Sequence, residues 1–295
     1  MNTSKKILSI SHYDMDGQGC AIVLANVFKN IKFITATFTN IDGIIKNTDF
    51  SEYDLVFMTD VYPKDIELLD DIPNLILLDH HETNKSHEPS NNRYVITDIC
   101  GAMITKNYIE SKLNVDLSHL NSLIYLINDY DMWIHNNKKS KMLNELYYWY
   151  RGDKFRERFM SGNTRLLPNE IDYIKKQKKK FLETYNELEV FDFDKINGCF
   201  FIFDFNFVND LCEKLLKEEK YDVVFCQNPR TGNISVRTNI RPDINLGETF
   251  TELELGGGHC SSAGLRGIDN SFDSLKSVLK VVEYELLKKY PQIKR

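Results

Sequence analysis

Along the first 135 residues, short apolar runs alternate with stretches whose apolar positions recur every three to four residues. Candidate strands fall at 6–11, 32–38, 54–59, 75–78 and 94–97, and runs such as ILSIS and NLILL are almost continuously apolar. That is the pattern of strands covered on both faces, not of strands with one wet side. Helical spacing marks 17–29, 64–70, 101–112 and 117–130. Strand and helix in regular alternation predict an α/β fold built on a doubly wound, mainly parallel sheet.

The texture changes at 136. Residues 136–192 are rich in Lys, Glu, Tyr and Leu, and IDYIKKQKKKFLETYNE reads as one long charged helix, so this segment is expected to be a helical linker. Its lysines read as a solvated helix face. Beyond it, strands are expected at 199–205, 221–227 and 233–238, with helices at 206–219 and 272–289. The chain therefore divides into 1–135, a linker at 136–192, and a second, smaller α/β domain at 193–295.

Composition narrows the function classes. A chain of 295 residues that is 42% hydrophobic and 27% charged has the length and balance of a folded protein with two domains. No apolar run approaches the roughly 20 residues of a membrane span. No signal peptide is evident at the N-terminus. Cys20, Cys100, Cys199, Cys212, Cys226 and Cys260 are scattered without a Cys-x-x-Cys pair, the usage of reduced thiols in a cytoplasmic protein. A net charge of -6 argues against a broad basic surface for long duplex nucleic acid.

The acidic residues then become informative. In open parallel sheets, ligands bind beyond the carboxyl ends of the strands. His12, Asp14 and Asp16 in SHYDMDG follow the first strand, and Asp60 in TDVYP follows the third. Asp79, His80 and His81 in LLDHHET follow the fourth, while Asp129 and Asp131 close the apolar helix SLIYLINDYDMW. Each piece alone has an ordinary reading as a turn, a helix cap or a surface residue. Together they would crowd carboxylates at one sheet edge, which is unfavourable without a cation. Oxygen and imidazole donors without thiolate suit manganese, and less often iron, cobalt or magnesium. Two such ions about 3.5–4 Å apart would use bridging and terminal carboxylates of this kind.

Taken in order, SHYDMDG, TDVYP and LLDHHET resemble the motif set of the DHH phosphoesterase superfamily. LGGGHCSSAG at 255–264 resembles the Gly-Gly-Gly-His signature of that family's associated C-terminal domain, so the motifs together span 12–264. The resemblance implies a metal-binding catalytic domain at 1–135 and a substrate-binding domain at 193–295. It implies two divalent ions, taken as Mn2+, with His12 and Asp14 on one, Asp16 on the other, Asp60 bridging, and His80 a further ligand. His81 would lie near the phosphate, with Asp79 orienting it. Many relatives carry Asp-Thr-Gly-x-Phe as the fourth motif; here the run is Asp129-Tyr130-Asp131-Met132-Trp133. In register Asp129 takes the ligand position, with Asp131 as the alternative. In the second domain, Gly256, Gly257, Gly258 and His259 would approach a phosphate closely. A helix opened by CSSAG would add its N-terminal dipole. Arg237 in ISVRTN is a further phosphate contact by the same resemblance.

The resemblance is greatest to the NrnB-like nanoRNase branch. It implies hydrolysis of short RNA or DNA oligonucleotides and dinucleotides to nucleoside 5′-monophosphates, in the 3′-to-5′ direction, by a cytoplasmic enzyme that is not membrane-bound, and it allows a homodimer. Alternatives are a cyclic-dinucleotide or RecJ-like single-strand DNA phosphodiesterase, or a non-catalytic nucleotide-binding relative that has kept the fold.

Overall fold

The apolar runs of the first half form five parallel strands, β1 (Ile7–His12), β2 (Ile31–Ala36), β3 (Leu55–Thr59), β4 (Leu75–Asp79) and β5 (Arg93–Val95). In this computed structural model, which describes residues 5–81, 84, 92–203, 207–218, 221–238, 244–265 and 272–295, the sheet order is β2-β1-β3-β4-β5. The chain leaves β1 toward β2 and returns to the other side of β1 as β3. The end of β1 beside β3 is therefore the topological switch point, where an α/β sheet opens a crevice.

Every residue of β1 is buried, as a continuous apolar run requires. Ile7 and Phe57 pack into one core cluster, while Leu8, Ile10, Val56 and Met58 pack into another on the opposite face. The first cluster is completed by α1 (Met15–Ala25) and by later helices, among them α3 (Gly101–Leu113), α4 (Asn121–Asp131) and α5 (Lys138–Tyr150). The second is closed by α2 (Ile41–Lys46), a helix in a segment that the apolar pattern leaves unassigned. The helix expected at 64–70 is only a 3-10 turn, Ile66–Leu69. Pro73 disfavours helical backbone at the residue before it, Ile72, and so limits that stretch at its C-terminal end.

The chain separates into two units, Met1–Gln177 and Lys178–Arg295. Much of the segment expected as a linker belongs to the body of the first. Leu143, Leu146 and Tyr147 of α5, with Phe155 and Phe159 of α6 (Gly152–Phe159), are buried in the cluster on α1. Charged residues are frequent in this stretch, but its apolar residues recur on the faces turned inward, and that periodicity decides the packing. The long helix α7 (Pro168–Asn186) starts in the first unit and ends in the second.

The second unit holds β6 (Phe191–Asp192), β7 (Gly198–Ile202), α8 (Val208–Glu218), β8 (Val223–Gln227), β9 (Ile234–Thr238), α9 (Leu246–Glu252), β10 (Gly256–Gly258), β11 (Ser262–Leu265) and α10 (Phe272–Lys289). Its sheet runs β10-β11-β9-β8-β7-β6, with β7 and β8 parallel and the remaining pairs antiparallel. None of the six cysteines is in a disulfide, and of the six only Cys260 is exposed. No helix among the described residues is long and apolar enough to cross a membrane.

The start of α7 is fixed by Glu170. It accepts hydrogen bonds from Arg158 Nε at 2.6 Å, Arg158 Nη2 at 3.0 Å and Tyr150 Oη at 2.9 Å. It also reaches back to the Leu167 amide at 2.6 Å, one half of a capping box. Burial raises its pKa, but the bonds from Arg158, Leu167 and Tyr150 outweigh this and the net shift is downward. Its folded value lies below the unfolded one, so its stabilisation is complete at neutral pH and lost as the pH falls through that depressed value. Glu170→Ala should cost about 3 kcal/mol, because Arg158 loses its buried partner. Urea unfolding followed by tryptophan fluorescence should show a lower midpoint with an unchanged slope.

Candidate metal centre

The end of β1 delivers His12, and the next residues start α1. Asp14 caps that helix, its Oδ1 accepting from the Gly17 amide at 3.0 Å, while its Oδ2 lies 2.8 Å from His12 Nδ1. Asp16 in the first turn is buried, and its two oxygens accept from the Gly101 and Ala102 amides at 2.7 and 2.9 Å. These amides open α3, so the carboxylate is held on the positive end of a helix.

Asp60 follows β3 directly, in the left-handed region at φ 57°, with its amide donating to Leu78 O. Left-handed backbone is uncommon outside glycine, though aspartate tolerates it better than most residues. This conformation turns the chain sharply at the strand end. Asp60 Oδ1 sits 3.1 Å from His80 Nε2, and Asp60 Oδ2 is 3.7 Å from His12 Nδ1. Asp79 ends β4, buried, and accepts from His81 Nδ1 at 2.8 Å and Asn84 Nδ2 at 2.7 Å. Burial opposes ionisation of Asp79, but the adjacent His81 outweighs it and holds the carboxyl below its ordinary range.

The fourth motif corrects the register argument. Asp131, not Asp129, enters the cluster, with Oδ2 3.4 Å from His80 Nε2. Asp129 accepts instead from the Asn136 and Asn137 amides at 2.9 and 3.1 Å, and its carbonyl takes the amides of Ile134 and His135. It builds the turn that ends α4. Two residues apart on a helix, the carboxylates lie about 200° apart around the axis, so one cannot substitute for the other.

Among the groups with metal-ligand spacing are His12–Asp14–Asp60 and Asp16–His80–Asp131. Their charge is unbalanced. His80 Nε2 faces Asp60, Asp131 and Asp16 at 3.1, 3.4 and 3.7 Å, and one N–H cannot satisfy three carboxylates. The buried Oδ2 atoms of Asp60 and Asp131 receive no hydrogen bond of good geometry. Burial opposes the charge on His12, yet Asp14 and Asp60 raise its pKa to about 11. Burial and the charge of Asp60 push Asp16 well up, and burial lifts Asp131 to about 6 despite His80. Oxygen and imidazole donors, unpaired buried lone pairs and excess negative charge together fit divalent cations.

Gly101 was legible in the sequence only as a helix start. A Cβ there would stand 2.9 Å from Asp16 Oδ2 and 2.9 Å from Asp60 Cβ, so no side chain can occupy the position without displacing both.

The second unit brings its own set together. β10 and β11 form a hairpin carrying Gly256, Gly257 and Gly258 and turning at His259, whose amide donates to Ser262 O. The expected helix at CSSAG is therefore a strand. At Gly256 a Cβ would overlap the Gly264 carbonyl, so glycine permits close strand pairing, and that pairing takes up the backbone groups a helix would have needed. Arg237 on β9 pairs with Ser262, and its Nη2 donates to Asn209 Oδ1 at 2.8 Å.

Residues 6–143 match the family model described as DHH family, N-terminal domain. No curated protein matches the chain. Among solved structures, the chain is similar to the pGpG-specific phosphodiesterase PggH from Vibrio cholerae, at 13% identity over 97% of this chain and 100% of that one, with a TM-score of 0.55. RecJ from Thermus thermophilus, in complex with Mn2+, is 13% identical over 95% of this chain and 52% of that one, with a TM-score of 0.55. An exopolyphosphatase-related protein from Bacteroides fragilis is 12% identical over 98% and 94%, with a TM-score of 0.53. What these three share with this chain is the fold.

Gly101→Ala should weaken divalent-cation binding by about tenfold or more, in the range seen when groups that position ligands are displaced. Isothermal calorimetry, with circular dichroism to verify the fold, checks this.

Proposed function

We propose, from the match of residues 6–143 to the DHH family model, that this chain is a manganese-dependent phosphodiesterase of short oligonucleotides. Dinucleotides and nanoRNA would be hydrolysed from the 3′ end to nucleoside 5′-monophosphates. One observation carries the reading: His12, Asp60 and His80, from the ends of three neighbouring parallel strands, converge with Asp16 and Asp131 on one buried, over-acidic cluster.

His12, Asp14, Asp16, Asp60, His80 and Asp131 are the residues that would hold two divalent ions, with Asp60 lying against a histidine of each group. Ions held there supply a water ionised near neutral pH and offset charge on the reacting phosphate. The protein's own groups do the rest. The Gly101 and Ala102 amides fix the Asp16 carboxylate, and Asp60 is fixed by its backbone turn. Asp79 accepts from His81 Nδ1, which orients the ring so that its other nitrogen can carry a proton to the departing ribose oxygen. In the second unit, Arg237 and the hairpin Gly256, Gly257, Gly258 and His259 are the proposed substrate contacts. The guanidinium suits forked recognition of phosphate.

The test is a manganese-supplemented assay on RNA from dimers to long oligomers, matching DNA, pGpG, cyclic dinucleotides and pyrophosphate, with products resolved over time. Dimers should be consumed fastest, releasing 5′-monophosphates. A folded, manganese-loaded protein inert on every phosphodiester would end the proposal in favour of a binding module.

Asp60→Ala should abolish turnover with the fold retained. The fourth motif gives a paired test. Asp131→Asn should lower manganese affinity by about tenfold or more. Asp129→Asn should lower the melting temperature first, because it weakens the bonds that end α4.

A further inference from the structure

Two large rings stand exposed at the rim of the acidic cluster. Tyr13, directly after β1, is 47% exposed, and Phe38, just beyond β2, is 39% exposed. Both pack on the same imidazole: each ring centroid lies 4.8 Å from that of His12. Phe38 also meets His81 edge-on, at 5.0 Å and 80°, and His81 lies 4.7 Å from His80. One aromatic ring therefore touches two of the histidines assigned to the metal and phosphate, and a second ring flanks one of them.

Single exposed apolar side chains need no explanation. Two that converge on a histidine of an acidic cluster are different, because a ring of this size yields its full stabilisation only when covered. Neither phosphate nor ribose has an apolar face to cover them. A nucleobase does, and it is joined to the phosphate through one sugar, so a base next to a phosphate held at His12 and His81 lies within reach of these rings. We propose that Tyr13 and Phe38 form a stacking platform for a nucleobase of the substrate, so that the site takes nucleotide diesters in preference to inorganic polyphosphates. The inference rests on the phosphodiesterase reading and names its substrate class. Because every base has a π-face, stacking predicts little discrimination among the bases.

The test compares kcat/KM for an RNA dinucleotide with that for the matching dimer of abasic ribose, in the wild type, Tyr13→Ala and Phe38→Ala. The wild type should prefer the base-bearing dimer by about tenfold or more, and each variant should lose about fivefold or more of that preference through KM. Damage to His12 alone would slow both substrates alike and leave the ratio intact, an outcome that overturns the platform. Binding supplies a readout without turnover. The fluorescence of 2-aminopurine riboside 5′-monophosphate should be quenched on titration with the wild type and far less with Phe38→Ala; no quench with the wild type overturns the proposal. A wild type that cleaves the abasic dimer as well as the dinucleotide rejects the platform and leaves the phosphodiesterase standing. One that cleaves neither rejects both.

Discussion

Carboxylate repulsion at one edge of a parallel sheet is the constraint on which the rest of this molecule turns. Two unit charges 4 Å apart interact by about 4 kcal/mol near a protein surface. A domain's whole net stability is about 5–15 kcal/mol. Asp14, Asp16, Asp60 and Asp131 gather around His12 and His80, and two imidazoles cannot offset four carboxylates. The upward shifts of Asp16 and Asp131 and the oppositely raised His12 record the same imbalance from both sides. Divalent cations would resolve it.

The fold meets that constraint with rigid supports. β1 and β3 are fully or nearly fully buried, so His12 and Asp60 leave from strands that have no freedom to move. Asp16 is held by two amides at the start of α3, and Gly101 leaves room for it against Asp60. Asp60 adopts a backbone conformation that costs of order 1–3 kcal/mol and persists only where its surroundings determine it. Strain, close packing and a fixed carboxylate thus occur together at the switch point of the sheet, where the topology already opens a crevice. The exposed rings of Tyr13 and Phe38 lie on its rim.

The glycine-rich signature of the second unit works through a different geometry from the helix its sequence pointed to. With no Cβ at Gly256, β10 packs tightly on β11, and the pairing places His259 at a hairpin turn near Arg237. The backbone there is committed to strand pairing. Arg237 is held in place by Asn209.

Periodicity alone determined the five parallel strands, the helices near 17–29, 101–112 and 117–130 and the placing of His12, Asp60 and His80 at strand ends, because continuous apolar runs can be buried only inside a two-sided sheet and strand ends in such a sheet share an edge. The order of motifs pointed to the family whose model matches residues 6–143. Tertiary structure decided what depends on angle and neighbour. Asp131 reaches the cluster and Asp129 does not, because a helix turns them to opposite sides. The segment from 138 to 159 joins the first unit because Phe155 and Phe159 find partners on α1, and CSSAG is a strand because Gly256 admits another strand beside it. Each of these outcomes depends on atoms supplied from far along the chain, which local spacing does not encode.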